Sequence, residues 1–362
     1  MAPGHRTRDE ALPAHYSRAL EALSLGPLWT ALHVLLPRER VSRVVPHLWR
    51  WTELRPLLLE AARLVEMERA ERRVLVLVNP GLDGAYAATS TLYAGLQIIL
   101  PGERAPSHHH TPAALRLIVE GRGAFTTVEG VKCVMEPGDL ILTPSMRWHD
   151  HGHEGAEPVV WLDGLDIPLV RHLEASWGSP SEPARKPETD IDSSVDEYTT
   201  AGLIPRRSRY ADGVYPQVRW PWQTVRRALA RMAEHAPPRA PVVLRYVNPR
   251  SGAAPLPTMG CEAQWLRPGE ATGAERRTAS AVYHAIEGSG ESRIGEVALR
   301  WEPGDTFAVP PWTWVEHRNG SGSRPACLFQ FNDEPALRAL GLWQEELESP
   351  LLGPTRRESG RP

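Results

Sequence analysis

The stretch GERAPSHHHTPAALRLIVEGRGAFTTVEGVKCVMEPGDLILTPSMRWHDHGH, residues 102–153, holds six of the fourteen histidines of the chain. Three stand in a row, His108, His109 and His110, and three alternate, His149, His151 and His153. Because successive side chains of a β-strand point to opposite faces, His108 and His110 share a face and His109 points away. The alternating group can add two or three ligands from a neighbouring strand. The spacing therefore predicts a metal site built from two strands.

Histidines also occur as hydrogen-bonded core residues or in solvated loops, and this alternative applies to any single one of the six. Their number within one stretch and their spacing of two within strand-like sequence favour the metal site.

Composition limits the classes of function. The chain has 362 residues, enough for two domains, and 41% of them are hydrophobic. A net charge of -3 and a sequence pI of about 6.5 give no basic surface for nucleic acid or for a membrane. The N-terminus lacks the apolar core of a signal peptide, and no apolar run reaches membrane-spanning length. Three cysteines without CxxC spacing fit a reducing cytoplasm, which is the predicted location.

Four regions follow from the pattern of residues along the chain. Short β-rich runs punctuated by Gly and Pro are typical of antiparallel sandwiches and barrels. We predict an N-terminal helical cap and lead-in strand (1–80), a metal-binding β domain (81–172), a linker with a short helix (173–240), and a second β domain with a C-terminal helix (241–362). Helices are expected at 15–36 and 51–67, interrupted at Pro46 and Pro56, and again at 222–234 and 335–346. Residues 1–13 are expected to be loose and the last residues disordered.

An internal repeat relates the two β domains. Residues 100–123 align with 267–290 at an offset of 167, and residues 136–151 align with 302–317 at an offset of 166. The two domains are therefore copies of one fold. The positions of His108, His110 and His149 are taken in the second copy by Glu275, Arg277 and Val315. We therefore expect the second copy to bind no metal and to serve packing and assembly.

Two sequence motifs carry a resemblance to the cupin superfamily. The first is Gly102, five residues, His108, one residue and His110; the second retains Gly138, Pro144 and His149. The longer string APSHHHTPAALRLIVEG, with PGDLILTP and WLDGLDIP, resembles the bicupin ring-cleaving dioxygenases of gentisate and related 2-hydroxybenzoates over nearly the whole chain. The resemblance implies a mainly β fold of two cupin jelly-roll barrels, a bicupin.

The sequence departs from the cupin pattern at four positions. Ala114 stands where the first motif usually has a glutamate ligand, Met146 and His153 replace the glycine and asparagine of the second motif, and His109 replaces a common arginine. The missing glutamate leaves a ligand set of histidines alone.

Residue by residue, the resemblance implies one Fe(II) per subunit, held in the first cupin by His108, His110 and His149. It implies catalytic roles for Arg116, His151 and Asp163. Arg72, Tyr93 and Gly95 are implied to contact the substrate, together with Arg116 and His151. By strand parity, Arg116 lies on the face of His110 and can hold the substrate carboxylate with two charge-assisted hydrogen bonds.

The implied reaction is an extradiol-type ring cleavage of a small aromatic acid with O2 as co-substrate. Gentisate, giving maleylpyruvate, is the favoured substrate; salicylate, substituted salicylates and 1-hydroxy-2-naphthoate are the alternatives. A non-enzymatic metal-binding sensor, or an isomerase or hydrolase using another metal, would be a different class of cupin, and oxygen consumption separates these from a dioxygenase. By analogy the protein is expected to be a homo-oligomer, a tetramer in its relatives, with no nucleic-acid or membrane partner.

Overall fold

The computed structural model describes residues 12–180, 190–198, 203, 205, 206, 215, 217–237 and 242–348. The chain divides into two compact units, one up to Ser42 and one from Arg43 onward. The predicted loose N-terminus and disordered C-terminus lie almost wholly outside the described residues, as does much of the predicted linker.

The helices, numbered in chain order, are α1 (Ala14–Ala22), α2 (Leu28–Leu35), α3 (Trp51–Leu64), α4 (Met67–Ala70), α5 (Ile167–His172), α6 (Ser193–Tyr198), α7 (Trp222–His235) and α8 (Glu334–Ala339), with a short 3-10 turn at Pro80–Leu82. Within the described residues, no helix combines the length and apolar character that crossing a bilayer requires.

The strands, numbered in the same way, are β1 (His47–Trp49), β2 (Val74–Val76), β3 (Tyr93–Ile99), β4 (Arg104–His110), β5 (Ala114–Glu120), β6 (Ala124–Val128), β7 (Val131–Val134), β8 (Leu140–Thr143), β9 (His149–His153), β10 (Val159–Leu165), β11 (Gly178–Pro180), β12 (Asp190–Ile191), β13 (Arg219–Trp220), β14 (Val242–Arg245), β15 (Gly260–Leu266), β16 (Glu275–Arg277), β17 (Ala281–Glu287), β18 (Gly290–Ile294), β19 (Val297–Trp301), β20 (Thr306–Val309), β21 (Val315–Asn319), β22 (Ala326–Asn332) and β23 (Glu345–Leu347).

These strands form two copies of a two-sheet barrel, which confirms the predicted mainly β bicupin fold. The first barrel has the sheets β13-β8-β5-β10-β3-β2 and β11-β4-β9-β6-β7-β12. The second has β1-β20-β17-β22-β15-β14 and β19-β18-β21-β16-β23. Each barrel encloses its own apolar interior, around Trp161 in the first and Trp301 in the second.

A third apolar core joins the two barrels. The outward faces of β3, β5 and β10 pack against those of β15, β17 and β22, and their residues form a single cluster. At Gly164 of β10 an added Cβ would come within 2.8 Å of the Phe331 ring of β22. The two barrels therefore share a core, with little room for a larger side chain at this contact.

Each barrel also receives a strand from the segment that precedes the other one. β1 precedes the first barrel but pairs with β20 of the second, while β13 precedes the second barrel but pairs with β8 of the first. The helix after each strand begins on the same neighbour, because Asp305 accepts the backbone N–H of Trp51 and Asp139 that of Trp222, each at 2.8 Å.

Two expectations about helices were wrong. Pro56 does not interrupt a helix but lies within α3, which buries Leu58 in the shared core; this tertiary packing stabilises a helix that contains proline. The predicted C-terminal helix is only α8, since Gly341 adopts a left-handed conformation and the chain then forms β23. The described parts of the predicted linker are not irregular throughout, because they include β11, β12, α6 and β13.

Candidate functional site

Three histidine side chains of the first barrel meet at one point. β4 and β9 pair antiparallel, with His108 opposite His149, and His110 follows two residues along β4. The ring centroids lie 4.1 to 5.1 Å apart, and one nitrogen from each ring lies within 4.8 Å of the other two. The arrangement is the one that the alternation of residues predicts for a metal site.

Hydrogen bonds at Nδ1 leave the Nε2 atoms of two of these histidines available to bind a metal. Nδ1 of His110 lies 2.6 Å from the Pro112 carbonyl oxygen, and Nδ1 of His149 lies 2.9 Å from that of Arg147. An imidazole that donates from Nδ1 to a carbonyl presents Nε2 as a metal ligand. The Nε2 atom of His149 is buried and has no hydrogen-bond partner among the described residues. The three residues therefore fit a transition-metal ion held by imidazole nitrogens.

The triad is electrically neutral. Burial lowers the pKa of all three imidazoles, to about 2 for His108, and neighbouring guanidinium groups lower it further. Neutral imidazole is the form that binds metals.

Arg72 approaches the outer nitrogen of His108. Its Nη2 atom lies 2.5 Å from Nδ1 of His108 and donates to the Pro106 carbonyl oxygen at 2.8 Å. Burial, with repulsion from Arg116, lowers the pKa of Arg72 to about 10. Sequence comparison implied only a substrate contact for Arg72; the structure places it against a histidine of the triad.

Three further candidate residues lie in one row across neighbouring strands. Asp163 of β10 is opposite Gly95 of β3 on one side and opposite Arg116 of β5 on the other. Nε of Arg116 lies 3.4 Å from Oδ1 of Asp163, and both side chains are buried. Trp161 donates to the same Oδ1 at 3.0 Å, and Arg116 also donates to the hydroxyl of Thr143.

Burial shifts the pKa values of both partners of this ion pair, and the attraction between them opposes each shift. Burial raises the pKa of Asp163 to about 6, although the positive charge of Arg116 acts in the opposite direction. Burial likewise lowers the pKa of Arg116, and Asp163 opposes that shift. At 3.4 Å the contact is longer than a good hydrogen bond, so the guanidinium keeps donor capacity for another carboxylate.

His151 lies beside the triad without joining it. Its ring centroid is 5.9 Å from that of His149, and its Nδ1 atom is 2.8 Å from the hydroxyl of Thr126. Its Nε2 atom is buried and has no partner among the described residues, and burial holds the pKa of the ring well below its usual value. A neutral ring with a free nitrogen can exchange a proton with a bound molecule.

Tyr93 and Gly95 lie on β3, the strand that pairs with the strand of Asp163. A Cβ on Gly95 would lie 2.8 Å from the hydroxyl oxygen of Tyr93 and 2.6 Å from Cγ1 of Val74. Burial, and next the charge of Asp163, raise the pKa of Tyr93. A side chain at position 95 would therefore collide with those of Tyr93 and Val74 unless they moved.

The remaining histidines of the opening stretch lie outside this group. His109 points away from the triad, as predicted, and stacks on Trp148 and Trp177 with centroid distances of 4.0 and 5.3 Å. His153 bonds to the Glu157 carbonyl oxygen at 2.5 Å.

Sequence reasoning missed residues that support the site. Thr126, Thr143 and Trp161 each form a hydrogen bond with a candidate side chain, and the buried amide nitrogen of Gln97 has no partner among the described residues. Alternation from Gly95 would have placed Gln97 on the inner face of β3, but nothing in the sequence shows that its amide lacks a partner.

Comparisons with known proteins agree with this geometry. A family model described as the cupin domain matches residues 95–165. A gentisate 1,2-dioxygenase of Ralstonia sp. is 43% identical over 93% of this chain and 95% of its own length. A 5-aminosalicylate 1,2-dioxygenase of Comamonas sp. is 39% identical over 94% of this chain and 91% of its own.

A solved structure gives the same likeness in three dimensions. The salicylate 1,2-dioxygenase from Pseudoaminobacter salicylatoxidans, crystallised as an adduct with gentisate, superposes with a TM-score of 0.86 at 31% identity, covering 95% of this chain and 97% of that one.

Proposed function

The chain belongs to the gentisate 1,2-dioxygenase family of ring-cleaving bicupin dioxygenases, and from that membership we propose that it cleaves gentisate with O2 to give maleylpyruvate at Fe(II). One observation carries the proposal. Three neutral imidazoles converge on one point beside a buried arginine that retains donor capacity.

We propose that His108, His110 and His149 hold the iron. With neutral ligands only, the bound ion would keep its full positive charge, draw the carboxylate and adjacent hydroxyl of the substrate to it, and activate dioxygen. Arg72 is held beside His108 by the hydrogen bond that it donates to the Pro106 carbonyl oxygen of β4.

Arg116 is proposed to bind the substrate carboxylate. Its guanidinium is buried and not fully hydrogen-bonded, and a carboxylate offers two oxygens in matching geometry. Asp163 and Trp161 fix the orientation of Arg116 through the shared Oδ1 atom. A substrate carboxylate would complete the hydrogen bonding of this buried guanidinium, which favours a carboxylic acid as the substrate.

His151 is proposed to move a proton. The contact with Thr126 orients the ring, and the free Nε2 atom is available to a hydroxyl of the bound substrate. Burial keeps this imidazole neutral, so it acts first as an acceptor.

Gentisate is preferred over salicylate and 1-hydroxy-2-naphthoate for a chemical reason. All three share the carboxylate and neighbouring hydroxyl, but the second hydroxyl of gentisate makes the ring more electron-rich. The names of the relatives support the same choice without deciding it.

Oxygen uptake by protein loaded anaerobically with Fe(II) tests the proposal, with the three acids assayed in parallel and product absorbance followed. We expect uptake with gentisate to exceed that with the other two. His110→Ala should abolish uptake and lower the iron content, whereas His109→Ala, a change in the same strand outside the triad, should retain both. Iron bound without uptake on any of the three acids would contradict a dioxygenase and point to a metal-binding sensor or another cupin enzyme.

We also infer that the protein is a homo-oligomer that uses its N-terminal unit. Residues 23–36 contain no charged side chain, and neither α1 nor α2 buries a single residue. Trp29, Val34 and Leu35 are exposed, an unusual state for an uncharged apolar helix. Depletion of charge is typical of the cores of interfaces between identical chains, so a second copy is the proposed occupant.

Light scattering tests the assembly. We expect the wild type to be tetrameric, by analogy with the family, and Trp29→Glu to shift it to a smaller species. Leu64→Glu, which adds the same charge at an equally exposed apolar residue of α3, is the control and should not change the mass. A monomeric wild type would exclude the assembly.

A further inference from the structure

The second barrel contains a cavity of about 370 Å³ at the position that the metal triad holds in the first. Glu275 lies opposite Val315 in the pairing of β16 with β21, as His108 lies opposite His149 in the pairing of β4 with β9. The volume is at the lower end of the range of small-molecule sites. The site therefore has the location and size of a binding pocket, with a different set of side chains.

A single arginine is shared by three carboxylates in this cavity. The guanidinium of Arg277 lies 3.3 Å from Glu262, 3.1 Å from Glu275 and 3.0 Å from Glu345. Glu262 has further partners, since Arg245 donates to it at 2.8 Å and Gln330 at 2.5 Å. Glu275 and Glu345 have no cation other than Arg277 among the described residues.

The charged groups that line the cavity do not balance. Three glutamates, Glu262, Glu275 and Glu345, face two arginines, Arg245 and Arg277. His317 adds no charge, because burial lowers its pKa to about 3. Arg245 and Glu345 are both partly exposed, so the imbalance applies to the lining as a whole, which has one more carboxylate than guanidinium groups.

Two buried side chains that line the cavity each have one polar atom without a hydrogen-bond partner among the described residues. Tyr283 and His317 are 3% and 4% exposed, and their ring centroids are 4.8 Å apart. Nδ1 of His317 is held by the hydroxyl of Ser292 at 2.7 Å, which leaves Nε2 free. Neither that atom nor the hydroxyl of Tyr283 forms a hydrogen bond with any described residue. Both atoms therefore face the cavity from side chains that are otherwise buried, where a ligand that can both donate and accept would bond with them.

A metal ion does not satisfy these conditions. In the described part of the chain, the triad of the first barrel is the one group whose three ligating atoms come within 4.8 Å of one another. A ligand with one positive charge and a hydroxyl group fits both the excess of carboxylates and the free polar atoms of Tyr283 and His317.

We propose that this cavity of the second barrel binds a small hydroxylated ammonium ion, whose cationic end lies at Glu275 and Glu345 and whose hydroxyl group bonds with Tyr283 and His317. The site is independent of the reaction assigned to the first barrel.

Calorimetric titration of the full-length, iron-loaded protein with ethanolamine tests this proposal. We expect the wild type to bind ethanolamine and not acetate, an anion of similar size. Tyr283→Phe removes only a hydroxyl that has no partner, so the fold should persist while binding weakens about tenfold. Glu345→Gln removes the excess charge and should weaken binding at least as much.

Glu316→Gln is the matched control. Glu316 is a partly exposed glutamate of the same barrel, paired with Arg293 outside the cavity, and its loss should leave binding unchanged. Iron content and oxygen uptake should be the same in all three variants, which verifies folding. The proposal is overturned if the wild type does not bind ethanolamine, if acetate binds as well, or if Tyr283→Phe and Glu345→Gln bind like Glu316→Gln.

Discussion

Asp163 has an ionisable group whose charge state affects a neighbouring arginine. With a pKa raised to about 6, it takes up a proton well above the pH at which an exposed aspartate does. Once protonated, it no longer holds Arg116 by charge. We therefore expect kcat/KM to fall as the pH drops through a midpoint at or below about 6, since a bound cation nearby favours the ionised carboxylate.

The pH profiles of the wild type and Asp163→Asn check this. The amide keeps the shape of the carboxylate but cannot titrate, so the variant should have lower activity and no acid limb from this group. If the acid limb persists unchanged in Asp163→Asn, another residue is responsible for it.

Arg116→Lys tests the proposed bidentate contact of Arg116 with the substrate carboxylate. Lysine keeps the charge but has no planar fork, so we expect KM for gentisate to rise about 10- to 100-fold, equivalent to the loss of one charge-assisted hydrogen bond. The rise in KM should exceed the fall in kcat. Arg122→Lys, at an exposed arginine paired with Glu136, is the control and should leave KM unchanged.

At the scale of elements, the start of α7 is fixed by a glycine. Gly138 has a φ of +87°, and a Cβ there would come within 2.6 Å of Cδ1 of Trp222. We expect Gly138→Ala to lower the free energy of unfolding by about 1–2 kcal/mol for the left-handed backbone and by about 1–3 kcal/mol more for the displaced indole.

Gly84→Ala separates the two contributions. Gly84 has a φ of +77° but open space around it, so its replacement should cause only the smaller loss. Denaturant unfolding of both variants measures the difference. Equal losses would contradict the packing of Trp222 on Gly138.

Some strands and helices could be predicted from the sequence, and others could not. Strands β4 and β9 were predictable because alternating histidines mark their faces. The pairing of β1 and β13 with the opposite barrels was not predictable. β1 has three residues and β13 has two, too few for a periodic pattern, and their partner strands lie far away in the chain. The same limit explains Pro56, whose helix depends on the burial of Leu58 in a core formed by both barrels.

At the scale of the molecule, two reciprocal bonds join the barrels. Asp166 accepts the hydroxyl of Thr258, and Asp333 accepts that of Thr91. Each of these aspartates also accepts a backbone N–H of its own barrel, at 2.8 Å. With the shared core and the exchanged strands, these contacts leave neither barrel independent.

We therefore expect the part of the chain from Arg43 onward to unfold in one cooperative transition. Scanning calorimetry with and without Fe(II) checks this, because iron bound in the first barrel should raise the temperature of the whole transition. Two transitions, of which iron shifts only one, would show that the barrels unfold separately.

The repeat and the loss of histidines in the second copy were readable from the sequence, whereas the contents of its cavity were not. The offsets of 167 and 166 identify which residue replaces which histidine. They do not show that Glu262, Glu275 and Glu345 converge on Arg277, because that cluster joins residues from three strands, β15, β16 and β23.

The exchange of β1 and β13 is the arrangement of a domain-swapped homodimer with both partners in one polypeptide. In a true homodimer every substitution appears twice, so a change that removed a metal ligand would disable both centres. Fusion removes that constraint, and the two halves can drift apart while they still need each other to fold. Replacement of the triad by Glu275, Arg277 and Val315 is the outcome expected of such freedom: one half keeps the three histidines, and the other carries a different set of side chains at the same place.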